Sequence, residues 1–235
     1  LIMSTTDDPL EPELPSWAVK LILSKMGFSV FPYTRKTTKL ISPFLTTHLS
    51  PRPSYLWNLK RSMLCGTADI IKDEPIRYSS GVKVKPATQA DALQVAKELR
   101  VEDVNEMRAL LGNDVAMSVV LQRHVMEADL SFTVSKNNHP VAIFGTKEIC
   151  PNVAAIGLLS SPMIREIKYT LCRHSKHWVD QLHKNHDLLL NIVHCDNTVH
   201  IQWLKWLGFT FVNKLTGFGS NGEDFYEFSK LKVKE

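Results

Sequence analysis

The sequence predicts an α/β fold (α+β in its ordering): a central mixed, mostly antiparallel sheet flanked by helices, behind an irregular N-terminal extension. Three observations predict it. The texture of the chain changes at Val82, because eight of its twelve prolines fall in residues 1–81. From there strand-like and helix-like patterns alternate to Phe228. The last third contains a helix-and-turn run, Asn197 to Phe209, with a cap at one end and glycine at the other.

Residues 1–81 read as a Pro-rich basic extension. So many fixed φ angles and missing N–H donors oppose long helices and central strands. One helix is expected, Ser16 to Met26, stopped by Gly27. Residues 14–68 carry eight Lys or Arg and no Asp or Glu. With scattered aromatics such as Tyr33, Tyr55 and Trp57, this suits an arm that orders on a partner. A leader without function is the plain alternative.

Residues 82–235 read as the α/β domain. Val82–Lys85 alternates as a strand that Pro86 ends, and Thr88 caps a helix through Leu99. Asp103 is the expected cap of a second helix through Leu111, and Asp114 of a third through Ala128, with Gly112 as the break. Ser131–Val134 and Val141–Ile149 form a hairpin around Asn137-Asn138. Val153–Leu159 is an apolar strand. Ser161-Pro162 starts a long helix whose inner face is Ile164, Ile167, Leu171, Trp178 and Leu182. Leu188–Val193 is a buried strand. Asn197 opens a short helix that Gly208 stops, and strands Phe209–Val212 and Phe225–Phe228 follow around a loop at Gly217–Gly222.

Composition narrows the function classes. A net charge of +4 does not by itself imply nucleic acid. No run approaches the ~18 apolar residues of a membrane span, and Lys20 and Lys25 interrupt the one stretch resembling a secretory signal. The four cysteines, Cys65, Cys150, Cys172 and Cys195, form no CxxC pair and read as reduced, mostly buried thiols. The chain begins Leu-Ile-Met, with Met3 and Met63 as candidate starts.

The order of elements and the stretch Asn197-Thr-Val-His-Ile-Gln-Trp-Leu-Lys-Trp-Leu-Gly208-Phe209 resemble the GNAT (acetyltransferase-like) superfamily. More narrowly, Asn197–Gly208 and the upstream Pro140–Gly145 resemble the GNAT-like internal virion proteins of short-tailed phages. That resemblance implies a GNAT domain at 82–235 and a virion or assembly role. It implies portal, core or ejection proteins as partners, and a location in the virion interior or the infected-host cytoplasm. The basic arm adds proximity to packaged DNA.

Three departures weigh against acetyl transfer. GNAT enzymes hold the pyrophosphate of acetyl-CoA in a glycine-containing loop after their fourth strand. Here that loop is Leu159-Ser-Ser-Pro-Met-Ile-Arg165, without glycine and with Pro162 lacking an N–H. Leu204 stands where many GNAT enzymes carry an acid Tyr. Tyr169 and Tyr226 are the nearest replacements, and Glu148, read as a solvent-facing partner of Lys147, is a weak candidate base. The expectation is therefore a GNAT domain with no catalytic residue and no cofactor. If acetyl-CoA binding is retained, Ser160, Ser161, Arg165 and Asn197 are the expected contacts. The alternatives are an active acetyl-CoA-dependent N-acyltransferase and a small-molecule-binding regulatory module.

Other constellations have plainer readings. His174 with His177, and His183 with His186, would clamp a zinc ion only with Asp180 or Asp187; a solvated basic helix face is the simpler account. Glu166 and Asp180 interrupt that face as a nucleic-acid stripe. Ser160 and Ser161 lack a nucleophile elbow, and capping explains Ser161. Of Trp203 and Trp206, at least one is expected at the surface.

Overall fold

The computed structural model describes residues 75–233; the expected helix Ser16–Met26 and Cys65 lie outside them. The chain forms β1 (Ile76–Arg77), β2 (Val82–Pro86), α1 (Gln89–Lys97), α2 (Val101–Leu111), α3 (Met117–Glu127), β3 (Leu130–Lys136), β4 (His139–Cys150) and β5 (Val153–Ser160). A 3-10 segment, Pro162–Ile167, leads into α4 (Lys168–Leu182). Then come β6 (Leu188–His194), α5 (Thr198–Trp206), β7 (Thr210–Leu215) and β8 (Phe225–Leu231). The strands make one eight-stranded sheet in the order β1-β2-β3-β4-β5-β6-β8-β7. Among the described strands only β5 and β6 run parallel. This is the mixed, mostly antiparallel sheet the sequence predicts.

Local chemistry fixes the ends. Thr88 and Asp91 make a reciprocal capping box at the start of α1. Asn137 and Asn138 both take positive φ, 50° and 67°, as a two-residue hairpin turn with the right twist requires. Asn197 caps α5, its Oδ1 accepting from the His200 amide at 3.4 Å. Gly208, at φ 85°, turns the chain out of that helix.

Helices cover both faces. On one, Trp178, Val179 and Leu182 of α4 and Ile201 and Leu204 of α5 join Phe132, Phe144, Val193 and Phe228 of the sheet. Phe132, Phe144 and Trp178 pack with ring centroids 4.9 to 5.4 Å apart. On the other, Ala92, Val95 and Leu121 of α1 and α3 cover Ile143, and Ala109 of α2 meets Ile192 and Phe225.

Several expectations need correction. The sheet starts before Val82, because Ile76 and Arg77 pair with Val84 and Lys83. Asp103 does not cap α2: Arg100 holds the cap position, and Asp103 lies buried in the first turn. Asp114 does not cap α3, which starts after Ala116. Ser161 sits at a cap position without a side-chain cap bond, and its buried Oγ has no partner. His183 and His186 are buried, not part of a solvated face. Cys150 and Cys172 are exposed.

Gly145 on β4 faces Ser131 on β3, and a Cβ there would collide with the Leu130 carbonyl oxygen. Gly145→Ala is expected to destabilise the domain by about 1–3 kcal/mol, read as a lower urea midpoint at unchanged slope.

Candidate functional site

β5 and β6 pair only at Val153–Leu188, Ala154–Leu189 and Ala155–Leu190. Beyond that point the strands part, leaving backbone groups and side chains facing a gap. Asn191 clasps both sides. Its Nδ2 donates to the Ile156 carbonyl at 2.5 Å, and its Oδ1 accepts from the Ile192 amide at 2.8 Å. A cavity of about 140 Å³ opens here, lined among others by Glu106, His124, Gly157, Asn191 and His200.

The acidic stripe of α2 fills the wide end of the gap. Arg100, Asp103 and Glu106 follow at intervals of three, so they share one side of the helix. Asp103 accepts from Arg100 Nη2 at 2.5 Å and Nε at 3.1 Å. It also accepts from the Ser160 amide at 2.8 Å and from Ser160 Oγ at 3.3 Å. Burial keeps its pKa above the usual carboxylate value, against the pull of Arg100 and Ser160. Glu106 is also buried; its Oε2 accepts from Asn197 Nδ2 at 3.0 Å and the His194 amide at 3.3 Å. Burial, with the charge of Asp103 adding to it, lifts Glu106 to about 7.

Two imidazoles complete the lining. His200 is pushed down to about 4, by burial and then by the charge of Arg100. His124 is also pushed to about 4, by burial and then by Lys147. Both are neutral at physiological pH, each with a ring nitrogen that lacks a partner. Gly157 makes room: a Cβ there would lie 3.3 Å from His124 Cε1. This arrangement can hold or release one proton near neutral pH, at Glu106.

The sequence-predicted residues are partly brought together. Asn197 and Ser160 are buried and tied to the acidic stripe through Glu106 and Asp103. Ser161 is buried and its amide donates to the Val141 carbonyl at 2.8 Å. Arg165 points outward and pairs with Glu102 at 3.2 Å. Leu204 is in the core. Tyr169 is 79% exposed on α4, and Tyr226 packs against Phe211, so neither lines the cavity. Glu148 is exposed, and Lys147 pairs with Glu127 instead. No group of three or more metal-ligating side chains occurs among the described residues.

Asp103 and Glu106 are the residues that sequence reasoning missed. The available signal was their spacing from Arg100 together with the apolar neighbours Ala109 and Leu110, which place the carboxylates on the inward side of α2.

No family model and no curated protein matches the chain. Solved structures do. The ribosomal-protein-S5-alanine acetyltransferase of Vibrio fischeri aligns over 68% of this chain and 97% of its own, at 14% identity and a TM-score of 0.51. yncA of Salmonella typhimurium, solved with its cofactor acetyl-CoA, aligns over 66% and 96%, at 10% identity and 0.51. A GNAT-family acetyltransferase of Bacillus anthracis aligns over 67% and 98%, at 12% identity and 0.51. The described domain thus has the GNAT acetyltransferase fold.

Glu106 gives the site a pH signature. Its pKa is about 7 in the fold against 4.5 for an ordinary glutamate, so from pH 4.5 to 7 the folded state binds more protons than the unfolded one. Stability falls through that window as pH rises, by up to about 3 kcal/mol. The depressed histidines act in the opposite sense, losing stability as pH falls below 6.5. Comparison with Glu106→Gln cancels them. Wild-type stability minus that of the variant is expected to drop between pH 4.5 and 7 and then level off; a flat difference contradicts the assignment.

Proposed function

We propose that this is a GNAT-fold domain that does not carry out acetyl transfer and serves as an internal or assembly protein of a short-tailed phage particle. One observation carries the first half: the carboxylate of Asp103 sits on the Ser160 amide. In GNAT enzymes the corresponding loop turns its amides toward the cofactor's pyrophosphate. Here the Ser160 amide goes to Asp103, the Ser161 amide to Val141, and Pro162 has none to give. Arg100, a cation near the loop, is already paired with Asp103. A pyrophosphate placed there would meet a buried carboxylate without a free counter-charge, a repulsive arrangement in a low-dielectric site. The residues present do not fit the group.

The second half rests on the stretch Asn197–Gly208 and its resemblance to internal virion proteins. Portal, core or ejection proteins are the partners this reading implies. Within the described residues no helix is long and apolar enough to cross a membrane.

A second reading, acetyl-CoA-dependent N-acyl transfer, is favoured by Glu106, whose carboxylate titrates near neutral pH beside the cavity. Calorimetric titration separates the two. The proposal expects no saturable heat up to about 1 mM acetyl-CoA, whereas the second reading requires micromolar affinity. Mass spectrometry of purified particles tests the virion role. The chain is expected among the internal proteins, and its absence from both particles and assembly intermediates overturns that role.

A further inference from the structure

The two layers of helices carry opposite charge. The layer of α1, α2 and α3 spans Gln89–Glu127 and holds Asp91, Glu98, Glu102, Asp103, Glu106, Asp114 and Glu127. The opposite layer is almost free of acids. No Asp or Glu occurs from Ile167 to Val179 on α4, or from Asn197 to Gly222 through α5 and β7. Lys168, Arg173, Lys176 and Lys205 are all exposed there. No carboxylate among the described residues lies within ion-pair distance of any of them.

Aromatic rings stand among these cations. Tyr169 is 79% exposed and Trp206 46% exposed. Lys168 Nζ lies 5.1 Å from the centroid of the Tyr169 ring, and Lys176 Nζ lies 4.8 Å from that of Trp206. The second contact joins α4 to α5 at the surface. Of the two acids that break the stripe in the sequence, Glu166 is engaged by Lys136, and Asp180, exposed four residues after Lys176, is the one carboxylate on this side of α4.

We propose that the outer surface of α4 and α5 binds single-stranded nucleic acid. Exposed rings flanked by unpaired cations offer stacking for unpaired bases and charge for phosphates, without base-specific readout. Charge complementarity selects a polyanion, and the rings select one with accessible bases over a duplex or an acidic polypeptide. The proposal is independent of what the β5–β6 cavity does.

The test is fluorescence anisotropy of the full chain with a labelled single-stranded oligonucleotide of mixed sequence, titrated at several salt concentrations. Trp206→Ala is expected to weaken binding at least fivefold, with Trp206→Phe retaining most of it. The double variant Arg173→Glu/Lys176→Glu is expected to weaken it at least tenfold. It should also reduce the slope of log affinity against log salt by about 1.4, the loss of two phosphate contacts. Three results overturn the proposal. Binding that the variants do not change places the site elsewhere, on the basic arm. A duplex bound as tightly as the single strand removes stacking. Polyglutamate that competes as well as the oligonucleotide makes the partner an acidic polypeptide.

Discussion

The parallel pairing of β5 with β6 ends after Ala155 and Leu190, and the rest of the site follows from that. Two neighbouring strands that part inside a sheet expose backbone groups that must find other partners. The Asn191 side chain satisfies one of them by reaching the Ile156 carbonyl. α2 supplies carboxylates for others: Asp103 takes the Ser160 amide, and Glu106 takes the His194 amide and the Asn197 side chain. Burying two carboxylates is costly, and it is tolerable because one is forked onto Arg100 and the other is held close to its neutral form.

Under the proposed reading, this arrangement separates the fold from its usual chemistry. The domain shares the fold of acetyltransferases, yet identity to them is too low to carry function across. The proposed reading places the difference in the loop after β5. Three consecutive positions, Ser160, Ser161 and Pro162, have no amide left to offer an anion. The opposite helix layer moves in the other direction, collecting unpaired cations and exposed rings on α4 and α5.

What was legible in the sequence was mostly local. The hairpin at Asn137-Asn138, the N-cap at Thr88 and the run from Asn197 to Gly208 depend on residues a few positions apart, and each stands where the pattern places it. The absence of glycine around Ser160 was equally readable. The partners of polar side chains were not. Asp103 looks like a helix cap because cap residues are defined locally; its real partner, Ser160, lies 57 residues away. Ser161 looks like a cap for the same reason. Glu148 next to Lys147 suggests an ion pair, but neighbours on a strand point to opposite faces, and Lys147 turns to Glu127 on α3. His183 and His186 read as surface residues because their spacing continues the basic helix, yet the chain folds under at its end. β1 is two residues long and below what any periodicity resolves.

Residue-resolved hydrogen exchange at Ser160 and Ser161, with and without acetyl-CoA, tests the central claim most directly. If Asp103 and Val141 hold these amides, both exchange slowly in the free protein. Acetyl-CoA then changes neither rate, and Asp103→Ala accelerates exchange at Ser160. Fast exchange in the free protein, with protection appearing when acetyl-CoA is added, would contradict the account and return the loop to cofactor binding.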